Sequence, residues 1–248
     1  MRLFAIGDLH LSGTPPTKPM TIFGPAWKNH WPRIKTDWRN KVSNNDLVLV
    51  AGDISWALRA EQAKADLDEI VSLPGKKILI RGNHDYWWDS VSKLTRLMDN
   101  RLTFIQNDCV PVTDDIAVCG TRGWICPGDI HFTEKDNVPY RREVLRVTRI
   151  LEKATTMGCK TKILLLHHPP FYDVTRSTEF TDLLATYNVT TCIFGHLHGI
   201  EQNRLFPCRL GNTILQLVSA DYVHCELQEI ILSQSNLLPI MHAKEADL

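Results

Sequence analysis

The chain has 248 residues, of which 44 % are hydrophobic, and its 28 lysines and arginines balance its 28 aspartates and glutamates. This length and apolar content suffice for a sizeable core, while the zero net charge argues against a dedicated nucleic-acid binder, whose balance would be strongly basic. The seven cysteines contain no CxxC pair, which argues against a disulfide framework or a zinc knuckle and favours buried reduced thiols.

The first half of the chain alternates short apolar runs, which predict buried strands, with amphipathic segments, which predict helices. Strands are expected at 2–6, 46–51, 77–80 and 102–105. Helices are expected from Pro32, with Ile34 and Trp38 facing inward, and at 61–73 and 90–98. Residues 12–31 are rich in proline, glycine and aromatics and predict an irregular loop that either covers a site or packs as a surface flap.

The second half of the chain contains more strand than helix. Strands are expected at 116–120, 162–166 and 191–194, followed by a closing hairpin over 213–219 and 225–231. Helices are expected at 141–157 and 179–187, a loop at 124–139, and a loosely held tail from about 233. The pattern predicts an α/β fold with at least one mixed sheet and outer helices, and a single domain over 1–248 because the motifs described next span 8–198.

Five short motifs rich in acid, amide and imidazole groups lie along the chain, and most follow a predicted strand. They are Gly7-Asp8-Leu9-His10, Gly52-Asp53, Gly82-Asn83-His84-Asp85, His167-His168-Pro169 and Gly195-His196-Leu197-His198-Gly199. Ligands of open α/β sheets bind at the carboxyl ends of strands, so we expect the motifs to meet at one sheet edge. The strand period of two would place Asp8 with His10, and His196 with His198, on one face.

The donor types in these motifs indicate a metal centre. Oxygen and imidazole donors without thiolates suit Mn, Fe or Zn, and a carboxylate such as Asp53 can bridge two cations, while Asn83 adds a neutral oxygen. Two divalent ions can activate a bridging hydroxide and stabilise both oxygens of an in-line displacement, as phosphoester hydrolysis requires. His84 stands beside Asn83 and could protonate the leaving alkoxide.

Taken in order, the motifs resemble those of the calcineurin-like metallophosphoesterase superfamily, which read D-x-H, G-D, G-N-H-[DE], H and G-H-x-H. The resemblance implies a sandwich of two mixed β-sheets flanked by helices, and it implies a role for each motif residue. The first metal would be held by Asp8, His10 and His198, the second by Asn83, His167 and His196, and Asp53 would bridge them. His84 is similar to the histidine that stabilises the transition state or acts as acid, with Asp85 holding the local geometry.

The stretch after Asp53 narrows the resemblance. Protein Ser/Thr phosphatases of the superfamily read G-D-x-V-D-R-G, whereas this chain continues as Ile54-Ser55-Trp56-Ala57. The Asp and Arg of that subclass are missing, which disfavours a protein phosphatase of this type. The chain as a whole looks most like the bacterial predicted phosphohydrolases of unassigned substrate.

Four further residues are candidates for substrate contact. Arg122 ends a strand and can fork onto a phosphate or pair at the surface, and Trp124 follows it in the loop. Trp87 can wall the pocket or belong to the core, and His168 is either a substrate contact or a support for His167. The pocket is expected to be shaped by loops 12–31 and 124–139.

The resulting hypothesis is a metal-dependent phosphohydrolase acting on a small phosphorylated substrate, nucleotides included. The alternatives are a non-catalytic scaffold on the same fold and a nuclease, the latter disfavoured by the neutral charge. No apolar run approaches a membrane span, and the first motif follows Met1 almost directly, so the sequence predicts a cytoplasmic protein with no membrane partner.

Overall fold

Twelve strands and five α-helices make up the regular structure of residues 1–199, 205–232 and 240–241, which are the residues that the computed structural model describes. The strands are β1 (Leu3–Ile6), β2 (Leu47–Val50), β3 (Lys76–Ile80), β4 (Thr103–Ile105), β5 (Asp108–Pro111), β6 (Ile116–Gly120), β7 (Thr161–Leu165), β8 (Thr191–Phe194), β9 (Cys208–Leu210), β10 (Thr213–Leu217), β11 (Gln228–Glu229) and β12 (Ile240–Met241). The helices are α1 (His30–Lys41), α2 (Ala60–Val71), α3 (Val91–Leu97), α4 (Asn137–Thr156) and α5 (Glu179–Thr186).

The strands form two mixed sheets. The first has the order β11-β1-β2-β3-β4, in which β1 to β4 run parallel and β11 lies antiparallel to β1. The second has the order β12-β9-β10-β8-β7-β6-β5, in which β10, β8, β7 and β6 run parallel at the centre. In each sheet the parallel strands therefore present their carboxyl ends at one common edge.

Alternation along each strand explains why the two sheets stack and why helices cover their outer faces. In β1, Ala5 faces the second sheet, whereas Phe4 and Ile6 pack under the helices. The layer between the sheets also contains Leu49 and Ile163. Fully buried side chains of this size each stabilise a fold by about 1.5–3 kcal/mol, so three apolar layers account for the sandwich. The expected α/β sandwich of two mixed sheets flanked by helices is confirmed.

Helix α1 packs as its pattern predicts, with Ile34 and Trp38 fully buried. It begins at His30, slightly before Pro32, and α4 begins at Asn137, inside the loop predicted for 124–139. The sequence did not predict strand β5, because Asp108 and Pro111 interrupt the apolar pattern typical of a strand. Strand β5 lies at the edge of the second sheet, where proline is tolerated.

The predicted closing hairpin is wrong. Strand β10 pairs with β8 and β9 in the second sheet, whereas β11 pairs with β1 in the first. The chain thus crosses between the sheets, and β11 covers the edge of β1 that would otherwise stay unpaired.

The C-terminal tail, the cysteines and the absence of a membrane span were also predicted from the sequence. The predicted loose tail from about 233 lies outside the described residues, apart from the strand Ile240–Met241. All seven cysteines are buried free thiols. Within the part of the chain that the structure describes, no helix combines the length and apolarity needed to span a bilayer.

Candidate metal centre

The motif residues converge where the carboxyl edges of the two sheets meet. Asp8, Asp53 and Asn83 follow β1, β2 and β3 of the first sheet, whereas His167 and His196 follow β7 and β8 of the second. The expectation of one sheet edge is therefore corrected to two adjoining edges. The edges are joined at Gly7, whose N–H donates to the Val218 carbonyl at 2.7 Å.

Tight turns, and not strand alternation, bring the motif side chains together. Asp8, His10, Asp53 and His196 have φ values of 59°, 46°, 50° and 70°, in the left-handed region that L-residues rarely adopt. The expectation that a period of two aligns Asp8 with His10 is therefore wrong, although both side chains reach the site. A residue other than glycine in this backbone conformation lowers the stability of the fold by about 1–3 kcal/mol, and such residues concentrate at functional sites.

Two motif glycines leave room for the carboxylates. A Cβ atom on Gly195 would lie 2.4 Å from Oδ2 of Asp8, and one on Gly82 would lie 2.0 Å from Oδ1 of Asp53. Any side chain at these positions would displace a carboxylate, which explains why glycine precedes the histidine and the asparagine of these motifs.

One group of donors surrounds Asp8. Its Oδ1 lies 3.5 Å from Nε2 of His198, and donor atoms of Asp8, His10 and His198 all lie within 4.8 Å of one another. Nε2 of His10 lies 3.8 Å from Oδ2 of Asp53. These spacings allow the three residues to share one cation.

A second group surrounds Asn83. Its Oδ1 lies 2.6 Å from Nε2 of His167 and 3.0 Å from Nδ1 of His196. Oδ2 of Asp53 lies 3.6 Å from Nε2 of His167 and 3.8 Å from Nε2 of His10, so the same oxygen faces both groups. Oδ1 of Asp53 accepts the His84 backbone N–H at 2.8 Å, which fixes this orientation.

Hydrogen bonds to the far side of two imidazoles set which nitrogen faces the site. Nδ1 of His167 donates to the Ala51 carbonyl at 2.9 Å, and Nδ1 of His198 donates to Oδ1 of Asp221 at 2.8 Å. In both rings Nε2 is therefore the nitrogen left for a metal, as is usual for histidine ligands. Asp221 was not predicted from the sequence, although it follows β10 just as Asp8 follows β1, and that placement was the available signal.

The electrostatics of the two carboxylates fit divalent cations. Asp8 and Asp53 are 0 % and 1 % exposed, and in the described structure neither forms a salt bridge with a lysine or arginine. Burial raises the pKa of the Asp53 carboxyl to about 7. Burial alone would also raise the pKa of Asp8, but the His198 hydrogen bond and neighbouring imidazoles outweigh it and hold that pKa well below its usual range. Buried carboxylates are normally paired with a positive charge or bound to a metal ion, and oxygen and imidazole donors suit Mn, Fe or Zn.

The pKa values of His198 and His10 reflect the different surroundings of the two imidazoles. Burial lowers the pKa of His198, but its hydrogen bonds to Asp221 and Asp8 dominate and raise that pKa to about 10. Burial lowers the pKa of His10 to about 3, so His10 is a neutral imidazole able to donate a lone pair.

His168 lies against the second group. Its ring centroid is 4.1 Å from that of His196, and a ring nitrogen lies within 4.8 Å of donor atoms of His167 and His196. Its Nδ1 is buried without a hydrogen-bond partner in the described structure. The structure thus places His168 beside the ligands, as a third imidazole of that cluster.

His84 lines a cavity of about 470 Å³ that opens beside the Asp8 group. Within the described residues, no side chain forms a hydrogen bond with its imidazole, whose ring centroid lies 5.8 Å from that of His10. Burial lowers the pKa of His84. Its ring is therefore available to a group bound in this cavity.

Loop 12–31 forms the apolar wall of this cavity, so of the two expectations for that loop the covering one is confirmed. Met20, Phe23 and Trp27 line it together with Trp56 from the loop after β2. Trp56 stacks on His10 at 4.9 Å between ring centroids, and Trp27 meets the same ring edge-on at 5.7 Å. The sequence did not single out Trp56, because nothing in its spacing predicts contact with His10.

Asp85 and Trp87 lie behind the site. Asp85 is fully buried and accepts hydrogen bonds from the N–H groups of Gly82 and Ile54, each at 2.8 Å, and from Nε1 of Trp87 at 2.9 Å. Asp85 ties the Asn83 loop to the Asp53 loop, which is the supporting role that the resemblance implies. Trp87 is 2 % exposed and packs in the core, which is the second of the two placements considered for it.

Arg122 and Trp124 do not line the apolar cavity. They line a separate cavity of about 300 Å³, which is also lined by Pro139 from the first turn of α4. The Arg122 guanidinium lies 4.4 Å above the Trp124 ring.

Comparisons with known proteins agree with this geometry. Residues 1–199 match the family model described as calcineurin-like phosphoesterase. A search of curated proteins found no match.

Solved structures share the fold at low identity. A protein of unknown function from Aquifex aeolicus is 14 % identical, with a TM-score of 0.51 over 92 % of this chain and 95 % of its own. A protein from Thermus thermophilus is 12 % identical, with a TM-score of 0.53 over 94 % of this chain and 99 % of its own. At such identities the likeness shows the fold alone, whereas the family model covers most of the chain and every motif described above. The chain belongs to the calcineurin-like phosphoesterase family.

Proposed function

We propose that this protein is a metal-dependent phosphoesterase that hydrolyses a small phosphorylated substrate at the Asp8 and Asn83 donor groups. The observation that carries the proposal is the placement of Asp53, whose Oδ2 faces His10 of one group at 3.8 Å and His167 of the other at 3.6 Å. A single carboxylate oxygen set between two donor groups favours two divalent ions, Mn, Fe or Zn, at one centre.

Each ion would be held by its own group of residues, with one residue shared. Asp8, His10 and His198 would hold the first, Asn83, His167 and His196 the second, and Asp53 both. When bound, the ions supply Lewis acidity and an activated water. The buried turns, and the hydrogen bonds that the ligand imidazoles donate to Asp221 and to the Ala51 carbonyl, orient the donors before substrate arrives, which lowers the cost of reorganisation.

His84 would act on the substrate directly. Its ring lies in the cavity without a protein partner among the described side chains, so one ring nitrogen can donate a hydrogen bond or a proton to a phosphoryl or leaving-group oxygen. Such a donor stabilises charge that develops in the transition state and is worth about 10²- to 10⁴-fold in rate.

The cavity lining indicates what the phosphate is esterified to. Trp27, Trp56, Phe23 and Met20 present an apolar and aromatic surface next to His84. An ester of an aromatic or apolar alcohol, including a nucleoside, would bury its organic part there.

The test is hydrolysis of bis-p-nitrophenyl phosphate and p-nitrophenyl phosphate by metal-stripped protein reloaded with Mn²⁺. We expect turnover of at least one ester that chelator abolishes. We expect His84→Ala to bind both metals while losing about 10²-fold or more in rate, and His131→Ala, an exposed histidine, to match the parent. Two bound metals with no turnover of any phosphoester would favour a non-catalytic scaffold.

A further inference from the structure

Next to the metal centre lies a cavity dominated by arginine. It encloses about 300 Å³ and its charged lining consists of four arginines and one carboxylate, Arg81, Arg122, Arg142, Arg146 and Glu143.

Three of the four guanidinium groups form no salt bridge within the described part of the chain. Arg146 pairs with Glu143. For Arg81, Arg122 and Arg142, no hydrogen bond or ion pair to a side chain or carbonyl occurs within the described part of the chain, and Nε of Arg81 is buried without any partner. Four positive charges around one cavity repel one another, and the single carboxylate of Glu143 does not balance them, so an anion in the cavity would relieve that repulsion.

The cavity is held in a defined shape. Nε1 of Trp124 donates to Asp136 at 3.0 Å, which fixes the indole under the Arg122 guanidinium. The Glu143 carboxylate is also held in place, because its Oε2 accepts hydrogen bonds from the Thr121 hydroxyl at 2.6 Å and from the Gly123 N–H at 3.2 Å. A guanidinium stacked on an indole keeps its in-plane N–H donors free for a ligand.

Two of the arginines are joined directly to the metal-binding segments. Arg81 precedes Gly82-Asn83, and the Arg122 carbonyl accepts the backbone N–H groups of His167 at 3.0 Å and His168 at 2.9 Å. This cavity therefore adjoins the Asn83 group, whereas the apolar cavity adjoins the Asp8 group, and the two share no lining residue.

We propose that the arginine cavity binds a second phosphate group of the substrate, while the scissile phosphate lies at the metal centre. The inference rests on the proposed function and narrows it to esters that carry two phosphate groups, such as nucleoside bisphosphates. Planar guanidinium forks match phosphate oxygens, and several of them around one cavity distinguish a doubly phosphorylated ester from a singly phosphorylated one.

The first test measures binding without metal or turnover. Inorganic pyrophosphate is titrated calorimetrically into chelator-treated wild type, Arg81→Gln, Arg122→Gln and the control Arg141→Gln, whose exposed side chain lies outside the cavity. We expect each cavity variant to bind about 10- to 100-fold more weakly and the control to match wild type within about twofold. Absent binding to the wild type, or equal binding to all four proteins, would overturn the inference.

The fold is expected to survive these substitutions. Each removes a guanidinium that forms no hydrogen bond or salt bridge with the described residues, and the Arg122 carbonyl contacts are retained. Thermal melting should therefore show no loss of stability, so weaker binding cannot be ascribed to unfolding.

The second test compares two substrates on the Mn²⁺-loaded protein. Arg122→Gln should raise KM for adenosine 3′,5′-bisphosphate by about tenfold or more relative to KM for p-nitrophenyl phosphate, which carries a single phosphate group. An unchanged KM for the bisphosphate, even with weaker pyrophosphate binding, would overturn the assignment to substrate. Hydrolysis of p-nitrophenyl phosphate without any pyrophosphate binding would refute this inference and retain the proposed function. Arginine-dependent pyrophosphate binding without turnover of any ester would instead refute the proposed function.

Discussion

Asp221 offers a sharp test of how the metal centre is held, because it contacts a ligand and not the metal. Its two oxygens have separate tasks: Oδ1 accepts from Nδ1 of His198 at 2.8 Å and Oδ2 accepts from the Gly199 N–H at 3.0 Å. The side chain is 7 % exposed, so water cannot readily replace either bond. Asp221 thereby fixes both the ring orientation of His198 and the turn that follows it.

The substitution Asp221→Asn preserves shape and removes one acceptor. If the amide oxygen of the new asparagine faces His198, its NH₂ group faces the Gly199 N–H, and two donors meet. In the reverse orientation the NH₂ group faces the Nδ1–H of His198, so one of the two hydrogen bonds is lost either way. Partners of this kind are worth about 10- to 100-fold in metal affinity. We therefore expect the metal held by Asp8, His10 and His198 to bind weaker by that factor, with the Asn83 group unaffected.

The measurement is competition for Mn²⁺ or Zn²⁺ between the protein and a fluorescent chelator, with hydrolysis followed in parallel. Asp114→Asn, at an exposed aspartate, is the matched control for the loss of one negative charge. Activity of Asp221→Asn should return at high metal concentration, since the catalytic groups remain. Wild-type affinity in a folded Asp221→Asn protein would refute the reasoning that outer hydrogen bonds hold the first ligand group.

Three further predictions concern single positions. Gly195→Ala should displace Asp8, since the new Cβ would lie 2.4 Å from its Oδ2, and should lower both metal content and unfolding free energy, the latter by about 1–3 kcal/mol in urea denaturation. Asp53→Asn should lose metal and activity together because the shared oxygen loses its charge, and retained metal stoichiometry would contradict the bridging role. Burial lowers the pKa of Lys77 from 10.5 to about 8, so between these two pH values the unfolded chain binds more protons than the folded chain. The unfolding free energy of the wild type, measured relative to that of Lys77→Met, should therefore rise from pH 8 to 10.5. A difference that does not change with pH would show that the pKa of Lys77 is not lowered.

The sequence could point to the candidate ligands because each lies in a short motif, most motifs follow an apolar run, and the family resemblance implies a role for each residue. The parallel order of β1, β2 and β3 then brings Asp8, Asp53 and Asn83 together with no long-range information. The two-sheet arrangement came from the family resemblance, since apolar runs in different sheets look alike. For the same reason the pattern joined 213–219 and 225–231 into a hairpin, although β11 pairs with β1 far away in sequence.

What the sequence missed depends on contacts between distant segments. Asp221 carries no motif, and its importance follows only from its hydrogen bond to His198. Trp56 and Trp87 are both tryptophans near a motif, yet the fold turns one onto His10 and buries the other beside Asp85. The arginine cavity draws on β3, β6 and α4 and their loops, so no local pattern could assemble it.

The most direct test of the proposed metallophosphoesterase is a titration of metal-free protein with Mn²⁺ in which bound metal and p-nitrophenyl ester hydrolysis are measured on the same samples. We predict two equivalents per chain, with turnover that appears as the second is bound and disappears with chelator. Saturation at a single equivalent, or hydrolysis that persists without metal, would contradict a centre built on two donor groups that share Asp53.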